Sequence, residues 1–470
     1  MKIQELAHIL NGKYDENQAN IELDIRGAVI DSRKAFQGSL FFCICGAVVD
    51  GHEYIDSACE KGAILAIVEK EVFSPLPYIL VDNVVEALGN LARYKRTLYS
   101  NVVIAITGSS GKTTAKEIIS HVLESEGIVS KNLLNQNNQI GMPLAILNAD
   151  IDACAWVLEL GISEAHDMSQ LGDIAQPNLV YITNAGNAHI QGLGDKGVAY
   201  HKASLLKYVK KEKSFFLGRV VNQAVFIPES EQNLIQEAIQ YDIVLHRVNS
   251  KRPVTIEYQG IEQNSTYGIF TISYENHIST ITMPYRGYFM QETLACVFEI
   301  AHYLGIPYSS ICTRLTTLPS LSQRNSVRRY ENTYVIDDTY NANPISMRAM
   351  IESAYSYPVE HYILVLGDMR ELGELTEEEH YSLGAYIAYK SKTAKTSVLW
   401  KGIYSDYVKQ GLESSNYNGE YYTNPSRDIL KNILQKDTTS VILCKGSRSI
   451  ALEEEVQEIY SILGVVDCDI

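Results

Sequence analysis

The stretch Thr107-Gly-Ser-Ser-Gly-Lys-Thr-Thr114 places glycines and serines directly before a lysine and two threonines. Gly108 and Gly111 permit a tight turn, so that the backbone N–H groups around Ser109 and Ser110 converge on phosphate oxygens. Lys112 supplies a cation for the β- and γ-phosphates, and the Thr113 hydroxyl, with Thr114 behind it, is placed to hold Mg2+. The common phosphate-loop pattern carries its first glycine where this chain has Ile106. The bland alternative is a Gly-Ser turn that merely precedes Lys-Thr. Strand, turn, Gly-Lys-Thr and helix in that order favour a nucleoside triphosphate site.

Further chemistry-bearing residues follow at intervals. Glu159 ends the run Trp156-Val-Leu-Glu-Leu160. A carboxylate on an apolar strand is costly to bury unless it is paired or holds a cation, and magnesium is the natural partner here. The other reading is a capping carboxylate that faces water. His189 follows a strand in Thr183-Asn-Ala-Gly-Asn-Ala-His189, and alone it reads more readily as structural than as a ligand. Lys202, on a helix expected over 198–209, reads as a solvated lysine. In Asp337-Asp-Thr-Tyr-Asn-Ala-Asn-Pro344 two carboxylates and two asparagines cluster at a strand end, as a ligand-binding turn or an ordinary Asx turn. Pro344 suits the first position of the helix that follows. Arg324 is a candidate phosphate clamp.

These residues need elements to position them. Residues 102–106 are β-branched and apolar, as a buried strand should be. Apolar Ile118, Ile119, Val122 and Leu123 predict the next helix, with Gly127 as its stop. After an Asn-rich turn at 135–138, strands are expected at 156–160 and 179–184. Strands alternating with helices predict a mostly parallel sheet covered on both faces, with ligands at its carboxyl ends. Residues 254–258, 268–273 and 278–283 alternate in polarity and predict an antiparallel patch attached to that sheet. From about residue 319 the βα rhythm restarts, with strands at 334–337, 362–366, 397–400 and 441–443. That unit is Rossmann-like but lacks a Gly-x-Gly-x-x-Gly fingerprint. The expected fold is α/β in three domains. A small α/β unit (1–98) precedes a central P-loop ATPase-type unit (99–318) and a C-terminal Rossmann-like unit (319–470).

Composition narrows the class. A chain of 470 residues exceeds one ordinary domain. Its net charge of −16, with no basic stripe, argues against nucleic-acid binding. No apolar run approaches membrane-spanning length, and the first ten residues read as an amphipathic helix rather than a signal peptide. The eight cysteines are scattered, as expected of reduced thiols in a cytoplasmic protein.

Taken together, these motifs resemble those of the Mur ligases, ATP-dependent enzymes that add amino acids to the peptide of cell-wall precursors. The resemblance spans nearly the whole chain. It includes Asp31-Ser-Arg33, Asp50-Gly-His52, the 107–114 loop, Asn137-Asn-Gln-Ile-Gly-Met-Pro143 and Leu158-Glu-Leu-Gly161. It continues through the 182–189 and 337–344 segments, Val365-Leu-Gly-Asp-Met369 and Lys445-Gly-Ser-Arg-Ser449. Tyr340-Asn-Ala-Asn-Pro344 is the most specific element, and implies the branch that joins D-alanyl-D-alanine to UDP-N-acetylmuramoyl-tripeptide. A related ligase with another carboxylate and amine is the alternative.

The resemblance implies ATP and two Mg2+ ions, one held by Thr113 and Glu159, the other by His189 and a carbamylated Lys202. With Lys112 these would be the catalytic groups. Arg324, Asp338 and Asn341 would meet the nucleotide from the C-terminal domain, which closes over the site. Asp31, Ser32 and Arg33 would face the uridine diphosphate, with Asn137 and Asn138 also near substrate, and the enzyme is expected to act as a monomer. Three departures stand out. Two asparagines that contact adenine in the family align with Met290 and Thr293, a glutamate with Ser204, and the glycine of a Gly-Arg pair with Gln323. Weaker selection of ATP over GTP is therefore expected unless a neighbour such as Glu292 takes over.

Overall fold

The computed structural model describes residues 1–133, 136–186, 196–251, 253–262, 265–434 and 438–464. Its largest parallel sheet has six strands. In spatial order they are Val244–Val248, Ala224–Pro228, Leu179–Ile182, Val102–Thr107, Ala155–Glu159 and Val129–Lys131. The strand Val102–Thr107 is central and buried at every position, as its β-branched sequence requires. Its neighbours Leu179–Ile182 and Ala155–Glu159 end level with it, so three strand ends open onto one crevice.

A second six-stranded sheet is built from the C-terminal third. Strands Thr333–Asp337, Ser440–Lys445, His361–Gly367, Lys395–Lys401 and Glu420–Thr423 run parallel, and Ser326–Tyr330 closes one edge antiparallel. The N-terminal part carries four parallel strands in chain order, Gly27–Val29, Ser39–Phe42, Ala63–Val68 and Tyr78–Leu80. The α/β class, with several parallel sheets, is as expected.

Some local expectations change. The antiparallel patch is a separate three-stranded sheet, Val254–Ile261, Gly268–Tyr274 and His277–Met283, with no ladder to the parallel sheet. Its inward side chains (Val254, Ile256, Phe270, Ile272) share a core with the helix Met290–Tyr303, so packing rather than hydrogen bonding attaches it. The helix after the phosphate loop, Lys112–Leu123, stops four residues short of Gly127. The helix expected over 198–209 is Gly197–Ala203, tightening into a 3₁₀ turn at Ser204–Tyr208.

One apolar core joins the N-terminal sheet to one face of the central sheet. Leu6, Phe42, Ile67 and Leu88 belong to the same cluster as Val103, Trp156, Leu171 and Val225. The helix Val84–Leu98 lies between them. Arg96 on that helix is buried and donates to the carbonyls of Ala175, Gln176 and Tyr99 and to Asn178 Oδ1. A buried guanidinium with no carboxylate is tolerable because so many of its donors are satisfied. Tyr99 stacks on Trp156 with centroids 3.8 Å apart. The C-terminal sheet has its own cores on its two faces.

Candidate active site

The phosphate loop is a hydrogen-bonded knot. Gly108 has φ of +151° and Gly111 of +76°, conformations that favour glycine. A Cβ on Gly108 would collide with the Thr183 hydroxyl. Asn184, just past its strand end, reaches into the loop. Its Oδ1 accepts from the amides of Ser109 (3.2 Å) and Ser110 (3.0 Å), and its Nδ2 donates to Ser110 Oγ. A side-chain oxygen thus sits on the N–H groups that a phosphate oxygen would need. Lys112 Nζ donates to the Gly108 carbonyl at 2.7 Å. Enclosure lowers the pKa of its ammonium, Glu159 opposes that shift, and Arg324 adds to it.

Glu159 is buried, not facing water. Its Oε2 accepts from the Thr113 hydroxyl at 2.6 Å, and its Oε1 from Asn137 Nδ2 at 2.8 Å. Strand and helix therefore deliver two hard oxygen donors to one point, the chemistry a Mg2+ ion requires. Asn138 also lines the crevice, while its Oδ1 accepts from the amides of Ile140 and Gly141. Thr107 is fully buried beneath the loop with its hydroxyl unpartnered among the described residues.

Lys202 corrects the expectation of a solvated lysine. It is 2% exposed, and its ammonium has no hydrogen-bond partner among the described residues. Burial, with Lys112 nearby, holds its pKa well below the ordinary lysine value. Helical periodicity could not show this, because the covering residues come from elsewhere in the chain. His189 lies outside the described residues.

The C-terminal sheet meets this crevice from the other side. A cavity of about 720 Å³ is lined by Ser109–Thr114, Asn137, Glu159, Arg324, Asp338 and Asn341, among others. Arg324 stacks on the Tyr340 ring, 3.8 Å from its centroid. Asp338 accepts from Lys445 Nζ at 2.5 Å and from the Asn325 amide at 2.8 Å. Asn343, singled out beforehand only as part of a motif, caps the helix Pro344–Tyr355 through its Oδ1. It donates its Nδ2 to the Ser109 carbonyl at 3.1 Å, tying the C-terminal sheet to the phosphate loop. Gln323 adopts φ of +56°, where a glycine would be unstrained. A non-glycine residue costs roughly 1 kcal/mol there, and Arg448 holds its side-chain oxygen.

Asp31, Ser32 and Arg33 lie elsewhere and do not line this cavity. Asp31 caps the turn Ser32–Lys34, and its carboxyl pKa is lowered to about 2, chiefly by hydrogen bonding from Arg33. Ser32 is buried, and Arg33 is exposed. Met290 and Thr293 do line the cavity, together with Phe289, Glu292 and Glu231. Glu231 was not singled out from the sequence, which gives no motif around it.

The chain matches three family models that follow one another along it. They are the Mur ligase family catalytic domain over 24–96, the Mur ligase middle domain over 106–300 and the Mur ligase glutamate ligase domain over 323–448. It is 30% identical to the UDP-N-acetylmuramoyl-tripeptide–D-alanyl-D-alanine ligase of Buchnera aphidicola subsp. Baizongia pistaciae, with 97% of each chain covered. It is 29% identical to that of Bacillus subtilis, covering 97% of this chain and 98% of the relative. Among solved structures, a MurF from Acinetobacter baumannii superposes with a TM-score of 0.85 at 23% identity, covering 98% of both chains. The MurF ligase of Thermotoga maritima in complex with ADP gives 0.77 at 25%, covering 93% of this chain and 98% of that one.

Proposed function

The chain belongs to the Mur ligase family, and from that premise we propose that it joins D-alanyl-D-alanine to UDP-N-acetylmuramoyl-tripeptide at the expense of ATP. One observation carries the reading beyond family membership: the phosphate loop and the Arg324–Asn343 segment line a single cavity from opposite sides. An enzyme that phosphorylates one substrate and must keep water from the product needs such a two-sided chamber.

A peptide carboxylate is a poor electrophile. ATP converts it to an acyl phosphate: a carboxylate oxygen bonds to the γ-phosphorus and ADP leaves. The amine of the dipeptide then attacks the acyl carbon, phosphate departs, and the amine proton is lost to solvent. Lys112 and Arg324 meet the charge that shifts along the triphosphate, and the loop amides hold its oxygens once Asn184 gives them up. Bound Mg2+ would supply further neutralisation of phosphate charge, held by Thr113 and Glu159.

Lys202 fits the second cation site only after modification. Its buried amine, biased towards the neutral form, can add to carbon dioxide, losing a proton and gaining an anionic carbamate oxygen. With His189 that oxygen would make the second metal site. Asp31, Ser32 and Arg33 are assigned to the uridine diphosphate end, and Asp338 and Asn341 to the nucleotide. Among the described residues no helix is long and apolar enough to cross a membrane, and we place the protein in the cytoplasm.

The test is ADP release with UDP-N-acetylmuramoyl-tripeptide, D-alanyl-D-alanine and Mg2+, each omitted in turn. Turnover is expected only with all three. Release with another carboxylate–amine pair but none with this one would move the assignment to a sister activity.

A further inference from the structure

One wall of the cavity, formed by Pro228, Glu231, Phe289, Met290, Glu292 and Thr293, differs in character from the wall that carries Asn138, Gln139, Glu164 and Asp167. The second wall is polar throughout. The first offers the Phe289 ring and the Met290 thioether, apolar surfaces against which a flat heteroaromatic ring packs. If the triphosphate lies on the loop, as proposed above, the base belongs at this first wall.

The polar groups open to the edge of that base are few. Met290 has none. Gln291 turns its amide away: its Oε1 accepts from the Tyr258 amide at 2.7 Å, and it does not line the cavity. Thr293 lies beside the buried Tyr181 phenol and bears on its ionisation. Glu231 and Glu292 remain, close to one another. Each uses one oxygen locally. Glu231 Oε2 accepts from the Ala185 amide, and Glu292 Oε2 from Ser230 Oγ, both at 3.1 Å. The other oxygen of each has no partner among the described residues. Glu292 also lies in the first turn of the helix Met290–Tyr303, where a negative charge is favoured.

We infer that Glu292, supported by Glu231, reads the nucleotide base by accepting a hydrogen bond from the exocyclic 6-amino group of adenine. The missing asparagines are thus replaced by carboxyl groups rather than lost. A carboxylate oxygen accepts, so a base edge lacking an N–H there leaves half-buried acceptors without the bond that the amino group supplies. A hydrogen bond to a charged acceptor corresponds to roughly ten- to a hundredfold in affinity.

The experiment measures binding of ATP and of purine riboside 5′-triphosphate, which lacks the amino group, by displacement of a ribose-labelled fluorescent ADP, with Mg2+ and no other substrate. The full-length protein is expected to bind ATP about ten- to a hundredfold more tightly. Glu292→Ala should bring the ratio close to one, and Glu231→Ala should reduce it less. Glu292→Gln, which retains an acceptor and the side-chain shape, should keep most of the preference, and guards against misfolding of the alanine variant. Equal binding of the two nucleotides by the unaltered protein, or an undiminished ratio in Glu292→Ala, overturns the inference. Failure to bind either nucleotide would instead overturn the ATP assignment on which it rests, and loss of ligase turnover alone would touch neither.

Discussion

Lys202 and Lys445 are equally buried, each 2% exposed, but the two sheets treat them differently. In the C-terminal sheet Lys445 ends a strand and donates to Asp338 Oδ2 at 2.5 Å and to the Asn341 carbonyl at 2.8 Å. On the central side Lys202 has no such partner among the described residues, and the cation Lys112 adds to the effect of burial on it. A buried ammonium with a carboxylate is finished structure. One without a carboxylate among the described residues carries its desolvation cost uncompensated by them, which is what the proposed modification would relieve. Burial alone would not have told these two lysines apart.

The sharpest way to break the comparison is to remove each amine. Lys202→Ala is expected to lower kcat by roughly two to three orders of magnitude, the range for losing a group that stabilises transition-state charge. Acetate should restore part of the rate by supplying the missing oxygen. An unchanged kcat would make Lys202 ordinary buried structure.

Lys445→Met should act chiefly on stability. It strands the Asp338 carboxylate beside a buried apolar side chain, and breaking such a pair costs about 3 kcal/mol. Denaturant titration followed through Trp400, in the same sheet, should register the loss. A midpoint matching the parent would mean that the Asn325 amide alone satisfies Asp338.

The effect with the least bearing on turnover at neutral pH lies at the opposite end of the C-terminal sheet, away from the cavity. Burial, aided by Lys395 and opposed by Glu420, pushes the pKa of His361 down to about 4. The unfolded chain therefore binds the extra proton between pH 6.5 and 4. Stability from this group is complete above pH 6.5 and is lost as pH falls through that window, by up to about 3 kcal/mol. His361→Gln, which can keep a bond to Ser397, should flatten the acid limb of the stability curve while leaving turnover at neutral pH intact.

Local grammar made the phosphate loop and the α/β class readable from the sequence, while the Thr113–Glu159 pairing came only through the family resemblance. A strand, a glycine turn and an amphipathic helix each declare themselves over a few residues. What was not readable depends on distant parts of the chain. The intrusion of Asn184 into the loop needs two neighbouring strands to end level. The grip of Asn343 on Ser109 spans 234 residues of sequence. Glu231 enters the cavity wall from a turn that has no motif, and the burial of Lys202 depends on what packs over its helix. The left-handed backbone of Gln323 was visible only as an odd residue where the family has glycine, with no hint that Arg448 compensates it.

The core shared by the N-terminal and central sheets sets how many independent motions the molecule has. Sliding one past the other would expose Trp156, Leu88 and their neighbours, and would break the four-acceptor clasp on Arg96. The C-terminal sheet has its own cores, touched from the central part by Ile261, and follows a short link where Gln323 and Asn325 both take positive φ. A ligand held by the N-terminal sheet and one held by the phosphate loop are tied through one continuous core, so their separation is set when the chain folds.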